Sequence, residues 1–339
     1  RASQYINVER SATTPERFLG AVLTSSPCSG GDIGRVHPTP RAAFDATLAF
    51  LTSARGPGGE PVTFLLDEFL ELRTFESFPG LRGLLPELLQ TLADSRNRFV
   101  LATRYVARAH RFLRDASPRF EVIQVSPLTA AEVADVLAGS GADQSADLPD
   151  LARAVHALAD GRPFYVQAII DELVTMQEHG GGDPVSALAA LLAPDGQLTR
   201  RCCFCYELRL HRARGYGALK AILDILADEE PLTLTEISQR MQRTPGSTKD
   251  YLSWLEDVDL VAPRQKRYSF TDPLLRLWVR LHCRPTPPGD DDLAREVQRY
   301  AHVRLPAAPE PAMAVAGDAA RESEPDDRTG KSWGIIEID

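Results

Sequence analysis

From Pro61 to Leu66 the chain reads PVTFLL, an unbroken apolar run behind a turn rich in Gly and Pro, and the next two residues are Asp67 and Glu68. Six residues without polar alternation suit a strand buried on both faces of a parallel sheet rather than one with a wet side. Two carboxylates at its carboxyl end put negative charge where open parallel sheets collect their ligands.

The neighbouring sequence alternates in the way such a strand requires. Gln4 to Val8 (QYINV), Arg98 to Ala102 (RFVLA) and Phe120 to Val125 (FEVIQV) read as further short strands. Between them, Thr14-Pro15 opens a helical pattern to Leu23, and Thr39-Pro40 opens another, with Phe44, Leu48 and Leu51 on one face to about Ala54. The Ser-, Gly- and Pro-rich residues 25–38 read as a loop. Leu81, Leu84, Leu85, Leu88, Leu89 and Leu92 recur at helical steps and need a sheet to pack on. The alternation predicts βαβ units and an α/β fold with a doubly wound parallel sheet. After Thr129 the pattern turns helical, with amphipathic segments at Ala131–Leu137, Asp150–Leu158 and Pro163–Met176 that read as a helical lid.

A chain of 339 residues, 43% hydrophobic and 25% charged, is long enough for two compact domains and ordinary for a globular protein. No run approaches ~18 consecutive apolar residues, and the first residues carry no basic-then-apolar leader, so a cytoplasmic location and no membrane partner are expected. Cys202, Cys203 and Cys205 cluster, but an odd total of five and the lack of a second CxxC argue against a disulfide framework or a metal site. The net charge of −9 is not that of a general nucleic-acid binder.

Asp67 and Glu68 have two readings. In a nucleoside triphosphatase, a strand end of this kind needs one carboxylate near Mg²⁺ and one to orient or deprotonate the attacking water. Asp67 takes the metal role and Glu68 the water role. Alternatively, the pair caps the helix that begins near Phe69. Thr103, directly after RFVLA, is placed to sense a terminal phosphate, or is a strand-end turn residue. Arg119, just before FEVIQV, is a candidate arginine finger for a neighbouring subunit's nucleotide in a homo-oligomer. Arg104, Arg108, Arg111 and Arg114 compete with it, and a solvated arginine is the plain alternative. In Gly161-Arg162-Pro163-Phe164-Tyr165, Gly stops one helix and Pro starts the next, which is also ordinary helix punctuation.

The order of an LLDE strand end, a strand ending in ATR, a VSPLT segment and a DGRPFYVQ helix start resembles the archaeal-type ATPase branch of the STAND and AAA+ P-loop proteins. A DPLLRLW segment at Asp272–Trp278 adds to the resemblance, which covers roughly residues 1–282. It implies ATP and Mg²⁺ as cofactors, Asp67 and Glu68 at the metal and water, and Thr103 at the γ-phosphate. Gly161 and Pro163, with their neighbours, would lie on the adenine side.

One part of that family's pattern is missing. A P-loop needs GxxxxGK[ST] between a strand and a helix, so that backbone N–H groups and a Lys hold the phosphates. Nothing before Asp67 fits, and Gly330-Lys331-Ser332 has Pro325 where the first glycine belongs and no strand ahead of it. In this fold the first strand lies between the ATR strand and FEVIQV. The expectation is a core lacking its first strand, with that strand and the phosphate loop lying upstream of Arg1.

Residues 216–282 form a second constellation. Helical patterns at Tyr216–Leu226, Thr233–Met241 and Ser247–Val258 precede a hairpin with Leu260-Val261-Ala262 as one strand and Tyr268-Ser269-Phe270 as the other. Three helices and a small hairpin make a winged helix. DNA binding would use Lys249 on the third helix and the basic tip Arg264, Lys266 and Arg267. Nine basic and ten acidic residues in this segment fit a protein-binding module equally well. After Thr271-Asp272-Pro273 a final helix carries Trp278 as a core anchor. Residues 284–329, rich in Pro, Ala, Asp and Glu, read mostly as linker, with one amphipathic piece near Leu293–Val303, and the terminal KSWGIIEID as a short β-like run.

The sequence thus divides into an AAA+-like core at 1–128, a helical lid at 129–215, a winged helix at 216–282 and a mostly linker tail at 283–339. The expected function is that of an ATP-binding and ATP-hydrolysing switch whose nucleotide state moves the winged helix and its DNA or protein partner. The alternative is a non-catalytic winged-helix adaptor with a degenerate ATPase core.

Overall fold

A computed structural model describes residues 2–28, 38–113, 120–141, 148–211 and 215–305. Arg119, the Gly330-Lys331-Ser332 triplet and the terminal KSWGIIEID lie outside the described residues.

Strand β1 (Ser3–Asn7) runs into a single helical turn, α1 (Val8–Ser11), and then α2 (Pro15–Thr24). The Thr-Pro pairs behave as their chemistry requires. Thr14 Oγ1 accepts from Arg17 N at 3.3 Å to start α2, and Thr39 Oγ1 accepts from Ala42 N at 3.1 Å to start α3 (Pro40–Ser53). Strand β2 (Thr63–Asp67) leads into a 3-10 helix (Phe69–Ser77), α4 (Leu84–Asp94) and β3 (Arg98–Ala102). The three strands are parallel in the order β1-β2-β3, with Asn7, Asp67 and Ala102 side by side at the carboxyl ends.

One face of this sheet is packed and the other is open. Ile6, Phe64 and Leu66 are buried, and Phe64 stacks on Phe99 at 5.7 Å and meets Phe50 of α3 edge-on at 6.1 Å. On the opposite face Tyr5 is 58% and Val100 52% exposed, unusual for a parallel sheet, whose strands are normally covered on both sides. Buried Asn97 ties the base of the layer together. It accepts from Val62 N at 3.0 Å and donates to Leu51 O at 2.8 Å and Ala54 O at 3.1 Å, so the end of α3 and the starts of β2 and β3 share one side chain.

The expectation of a further strand at Phe120–Val125 is corrected. Residues 120–129 have no regular structure, and Val122, Ile123 and Val125 are 55%, 78% and 87% exposed. A strand exists only through its ladder, and among the described residues β3 pairs with β2 alone. The β-forming composition of FEVIQV has no neighbour to bond to.

Helix α5 (Val106–Leu113) follows β3, and a helical block succeeds it: α6 (Ala130–Gly139), α7 (Leu148–Ala159), α8 (Pro163–Glu178), α9 (Pro184–Leu192) and α10 (Gln197–His211). Thr129 and Glu132 form a capping box on α6. The cysteine cluster sits on α10, where Cys202 is buried against Tyr165 and burial pushes its thiol up to about 12.

Helix α11 (Tyr216–Asp228), strand β4 (Leu232–Thr233), α12 (Leu234–Arg240) and α13 (Pro245–Asp257) lead into the hairpin of β5 (Val261–Arg264) and β6 (Arg267–Phe270). These strands form an antiparallel sheet in the order β4-β6-β5. The two-residue turn places Gln265 and Lys266 at φ 51° and 63°, the pairing of a type I′ hairpin. Asp272 then caps α14 (Pro273–His282) through Leu274 N and Leu275 N, each at 3.1 Å. Within the stretch read mostly as linker, the amphipathic piece is a full helix, α15 (Asp290–Arg304). It buries Leu293, Val297 and Ala301 and ties Tyr300 Oη to Leu158 O at 2.8 Å. Three aspartates in its first turn and His302 and Arg304 in its last complement the helix dipole.

His282 closes α14 onto the helical block, its Nε2 2.9 Å from Leu192 O. Burial lowers its pKa below the usual imidazole value, opposed in part by that carbonyl. The unfolded chain therefore takes up the proton more readily. His282's contribution to stability is complete above about 6.5 and is lost as pH falls through the lower folded value. Thermal midpoints measured between pH 7.5 and 5.5 should fall more steeply for the native chain than for His282→Gln; parallel pH profiles would contradict this.

Candidate functional site

The carboxyl ends of β1, β2 and β3 gather the chemistry. Asp67 Oδ2 accepts from Tyr5 Oη at 2.7 Å on the open face of the sheet. One residue on, Glu68 takes a left-handed conformation, φ 55° and ψ 43°, which costs a non-glycine residue about 1–3 kcal/mol. It stands at the start of the 3-10 helix, yet its side chain makes no capping bond there. The capping alternative therefore fails for Glu68. Its carboxylate, 8% exposed, turns instead across to the end of β3.

There Arg104 Nε donates to Glu68 Oε1 at 2.7 Å, while Thr103 Oγ1 at 3.5 Å and Arg104 N at 3.4 Å approach Oε2. Thr103 Oγ1 also accepts from Tyr105 N at 3.2 Å, which fixes its place at the strand end. Arg104 reaches a second carboxylate, Glu9 Oε2, at 2.6 Å. Burial alone would lower the guanidinium's pKa, but hydrogen bonds and charge from Glu68 and Glu9 outweigh it and hold the pKa above its ordinary value. Arg104 is thus a permanent cation shared between two acids, and Glu68 is a nearly buried carboxylate held by it.

The next turn joins this strand end to the C-terminal part of the fold. Helix α5 begins at Val106, and Ala107 N donates at 3.2 Å to Asp259 Oδ1, a carboxylate between α13 and β5. Asp259 caps α5 from 152 residues away in sequence. Its own conformation is left-handed, φ 49°, and Arg209 of α10 holds its carbonyl at 3.2 Å. Burial raises the Asp259 pKa, opposed by the α5 amides and by Arg209 and Arg108. Arg111 pairs with Asp257 alongside.

A second connection runs through the Gly161–Pro163 turn. Gly161 is at φ 63°, its carbonyl accepts from Leu128 N at 2.7 Å, and a Cβ there would lie 2.4 Å from Leu128 O. Glycine is required by backbone approach as well as by conformation. Arg162 donates to Thr271 O at 2.6 Å and lies 3.5 Å from Asp272 Oδ2, and Tyr165 Oη donates to the same Asp272 oxygen at 2.8 Å. Pro163 opens α8.

The structure therefore brings Glu68 and Thr103 together and leaves Asp67 on the adjacent strand end. The described contacts of the Gly161–Pro163 turn are with Leu128, Thr271 and Asp272, not with the strand ends. Lys249, Arg264, Lys266 and Arg267 are all exposed on the segment 215–282, and Arg267 is partly engaged by Pro231 O at 2.8 Å and Glu236 at 3.6 Å. Glu9, Asp259 and the pairing of Arg162 with Asp272 were not visible in sequence, because each depends on contacts far along the chain. Arg104 was visible only as one arginine among several, although its place directly after Thr103 was a signal.

For a magnesium nucleotide the fit is partial. Mg²⁺ is commonly held by one or two carboxylates with phosphate oxygens and water completing the shell, and Asp67 meets that requirement. Among the described residues no group of three His, Cys, Asp or Glu side chains could hold a metal unaided. The sequence contains no GxxxxGK[ST] cradle for the phosphates.

No protein-family profile matches the chain, and no curated protein matches it. Solved structures do. The fold is shared with a Walker-type ATPase of Pyrococcus abyssi, at a TM-score of 0.57 and 15% identity over 83% of this chain and 84% of that one. A RuvB variant of Thermotoga maritima aligns at a TM-score of 0.35 and 13% identity over 84% of this chain and 80% of that one. The mixed α/β architecture with its three-stranded parallel sheet is the fold this chain shares with the Pyrococcus ATPase. No helix among the described residues is long and apolar enough to cross a membrane.

Replacing Gly161 with Ala should cost about 1–3 kcal/mol in urea denaturation, since both the backbone conformation and the Leu128 carbonyl oppose a methyl group; an unchanged midpoint would show that the turn relaxes freely.

Proposed function

We propose that this chain is an ATP-binding and ATP-hydrolysing switch protein of the STAND/AAA+ kind, coupling nucleotide state to a winged helix. The observation that carries the reading is Glu68: a nearly buried carboxylate in a strained conformation at a strand tip, turned away from its own helix and onto Thr103 and Arg104. Strain retained against a helix cap that would have satisfied it points to a chemical task.

Bound Mg²⁺-ATP would supply the γ-phosphoryl bond to be broken and the metal charge that offsets its developing negative charge. Asp67 would hold the metal from the end of β2. Glu68 orients the attacking water and takes its proton. Thr103 Oγ1 donates to the terminal phosphate. With Arg104 Nε on Oε1, that oxygen is taken by a guanidinium rather than by the attacking water. Catalysis requires Arg104 to swing toward Glu9 or toward phosphate, so Arg104 sets when Glu68 can act. The chain itself contains no GxxxxGK[ST] cradle, and among the described residues the edge of β3 away from β2 is unpaired, where a further strand would fit. Arg119 remains the candidate finger toward a neighbouring subunit in a homo-oligomer, and Gly161 with Pro163 the candidate adenine contact.

Helices α11, α12 and α13 with the β4-β6-β5 sheet form the winged helix of this proposal. Two links couple it to the nucleotide: Asp259 on the first turn of α5, and Asp272 on Arg162 beside the Gly161–Pro163 turn. Movement at Thr103 and Arg104 shifts α5 against its cap and so displaces the winged helix.

Glu68→Gln should lower the kcat for ATP hydrolysis at least about a hundredfold with ATP affinity retained. Unchanged turnover would overturn the assignment.

A second reading, a non-catalytic winged-helix adaptor, is favoured by one feature. Arg264 and Arg267 face each other across the hairpin with Lys266 in the turn, an exposed cluster of like charge. If the adaptor reads DNA, the chain should shift a duplex at physiological salt, and Arg264→Gln with Lys266→Gln should abolish the shift. No shift in the native chain would leave a protein as the winged helix's partner.

A further inference from the structure

Away from the strand ends, helices α14 and α15 enclose a cavity of about 250 Å³. Arg276, Arg280, Arg299 and Arg304 line it, against two carboxylates, Glu230 and Glu296. The carboxylates are already engaged: Glu230 with Arg276 at 3.3 Å, and Glu296 with both Arg280, at 3.0 Å, and Arg299. Arg304 pairs outward with Asp160 at 3.7 Å and lies over the Tyr300 ring at 4.7 Å. Positive charge therefore exceeds negative charge around a recess closed on two sides by packed helices.

Arg280 shows the consequence most directly. It is 18% exposed, its Nη2 serves Glu296, and its Nε is buried with no hydrogen-bond partner among the described residues. Burial depresses its pKa despite Glu296, and Arg299, Arg276 and Arg284 repel it further. Arg276, Arg280 and Arg304 are largely withdrawn from water while Arg299 is exposed, and guanidinium charge crowded in this way is unfavourable unless an anion offsets it.

We propose that this cavity is a binding site for a small phosphate-class anion, a phosphate or diphosphate group, held by the planar forks of Arg280 and Arg299 with Arg276 beside them. Guanidinium forks match phosphate oxygens in pairs, which a chloride ion cannot exploit. The volume admits a phosphoryl group and excludes a nucleic-acid duplex.

The position gives such a ligand leverage. Two residues of α15 that line the cavity also hold the end of α7, Tyr300 on Leu158 O and Arg304 on Asp160, immediately before the Gly161–Pro163 turn. The start of α14 is Asp272, which holds Arg162 of that same turn. An anion that draws α14 and α15 together tightens both seats of the turn. The site is independent of the ATPase assignment, because neither Asp67 nor Glu68 takes part in it.

Calorimetric titration of the chain with inorganic phosphate and with pyrophosphate, at constant ionic strength in sodium chloride, tests the proposal. Saturable binding is expected, weakened at least about tenfold in Arg280→Met, weakened less in Arg280→Lys, which keeps the charge without the fork, and unchanged in Arg96→Gln on the distant surface. Melting curves establish that each variant is folded. Absence of binding to the native chain would overturn the proposal, as would equal affinity in folded Arg280→Met.

Discussion

Arg104 is shared between Glu9 and Glu68, and the rest of the strand-end geometry depends on that sharing. The two carboxylates follow different strands, β1 and β2, while the guanidinium follows β3, so a single cation fastens all three carboxyl ends. Two acids so close to one another would repel without it, and a guanidinium this withdrawn from water would be costly without them. Thr103, Tyr105 and the entry to α5 then follow from where Arg104 must stand. The strained backbone at Glu68 is held by the same contact, since its carboxylate can reach Arg104 only by leaving its own helix uncapped.

Much of this architecture was legible in the sequence. The strands at residues 63–67 and 98–102 came from apolar runs and that at 3–7 from a β-rich one, and the helices opened by Thr14-Pro15, Thr39-Pro40 and Asp272-Pro273 came from local chemistry that needs no tertiary context. FEVIQV failed for the opposite reason. Its composition favours a strand, but a strand is a relation between two segments, and no described segment stands beside it. Helices α9 and α10 were missed because one is almost uniformly apolar and the other carries a cysteine cluster that drew attention to chemistry rather than to periodicity. In the site, Asp67, Glu68 and Thr103 were found from strand ends. Asp259 was not, since nothing local marks a residue that caps a helix 152 positions earlier.

In the proposed switch, the same long-range contacts would provide the means of transmission. The segment 215–282 does not simply lie against the α/β layer. It supplies a helix cap at Asp259 and an ion pair at Asp272, and Thr271 between them bonds to Asp259 O at 2.5 Å and receives Arg162. Asp259, Thr271 and Asp272 form one junction between the strand ends, the helical block and the hairpin. On the proposed function, a small displacement at Thr103 or at Gly161 would be felt there, because helix caps and ion pairs are made or broken rather than stretched.

The account's central claim is that the Arg104 clamp and the Asp259 cap act as one unit. A double-mutant cycle with Arg104→Met and Asp259→Asn, followed by urea denaturation of the chain, measures this directly. A coupling energy above about 0.5 kcal/mol is predicted; effects that add within about 0.3 kcal/mol would mean that the strand ends and the segment 215–282 are mechanically separate.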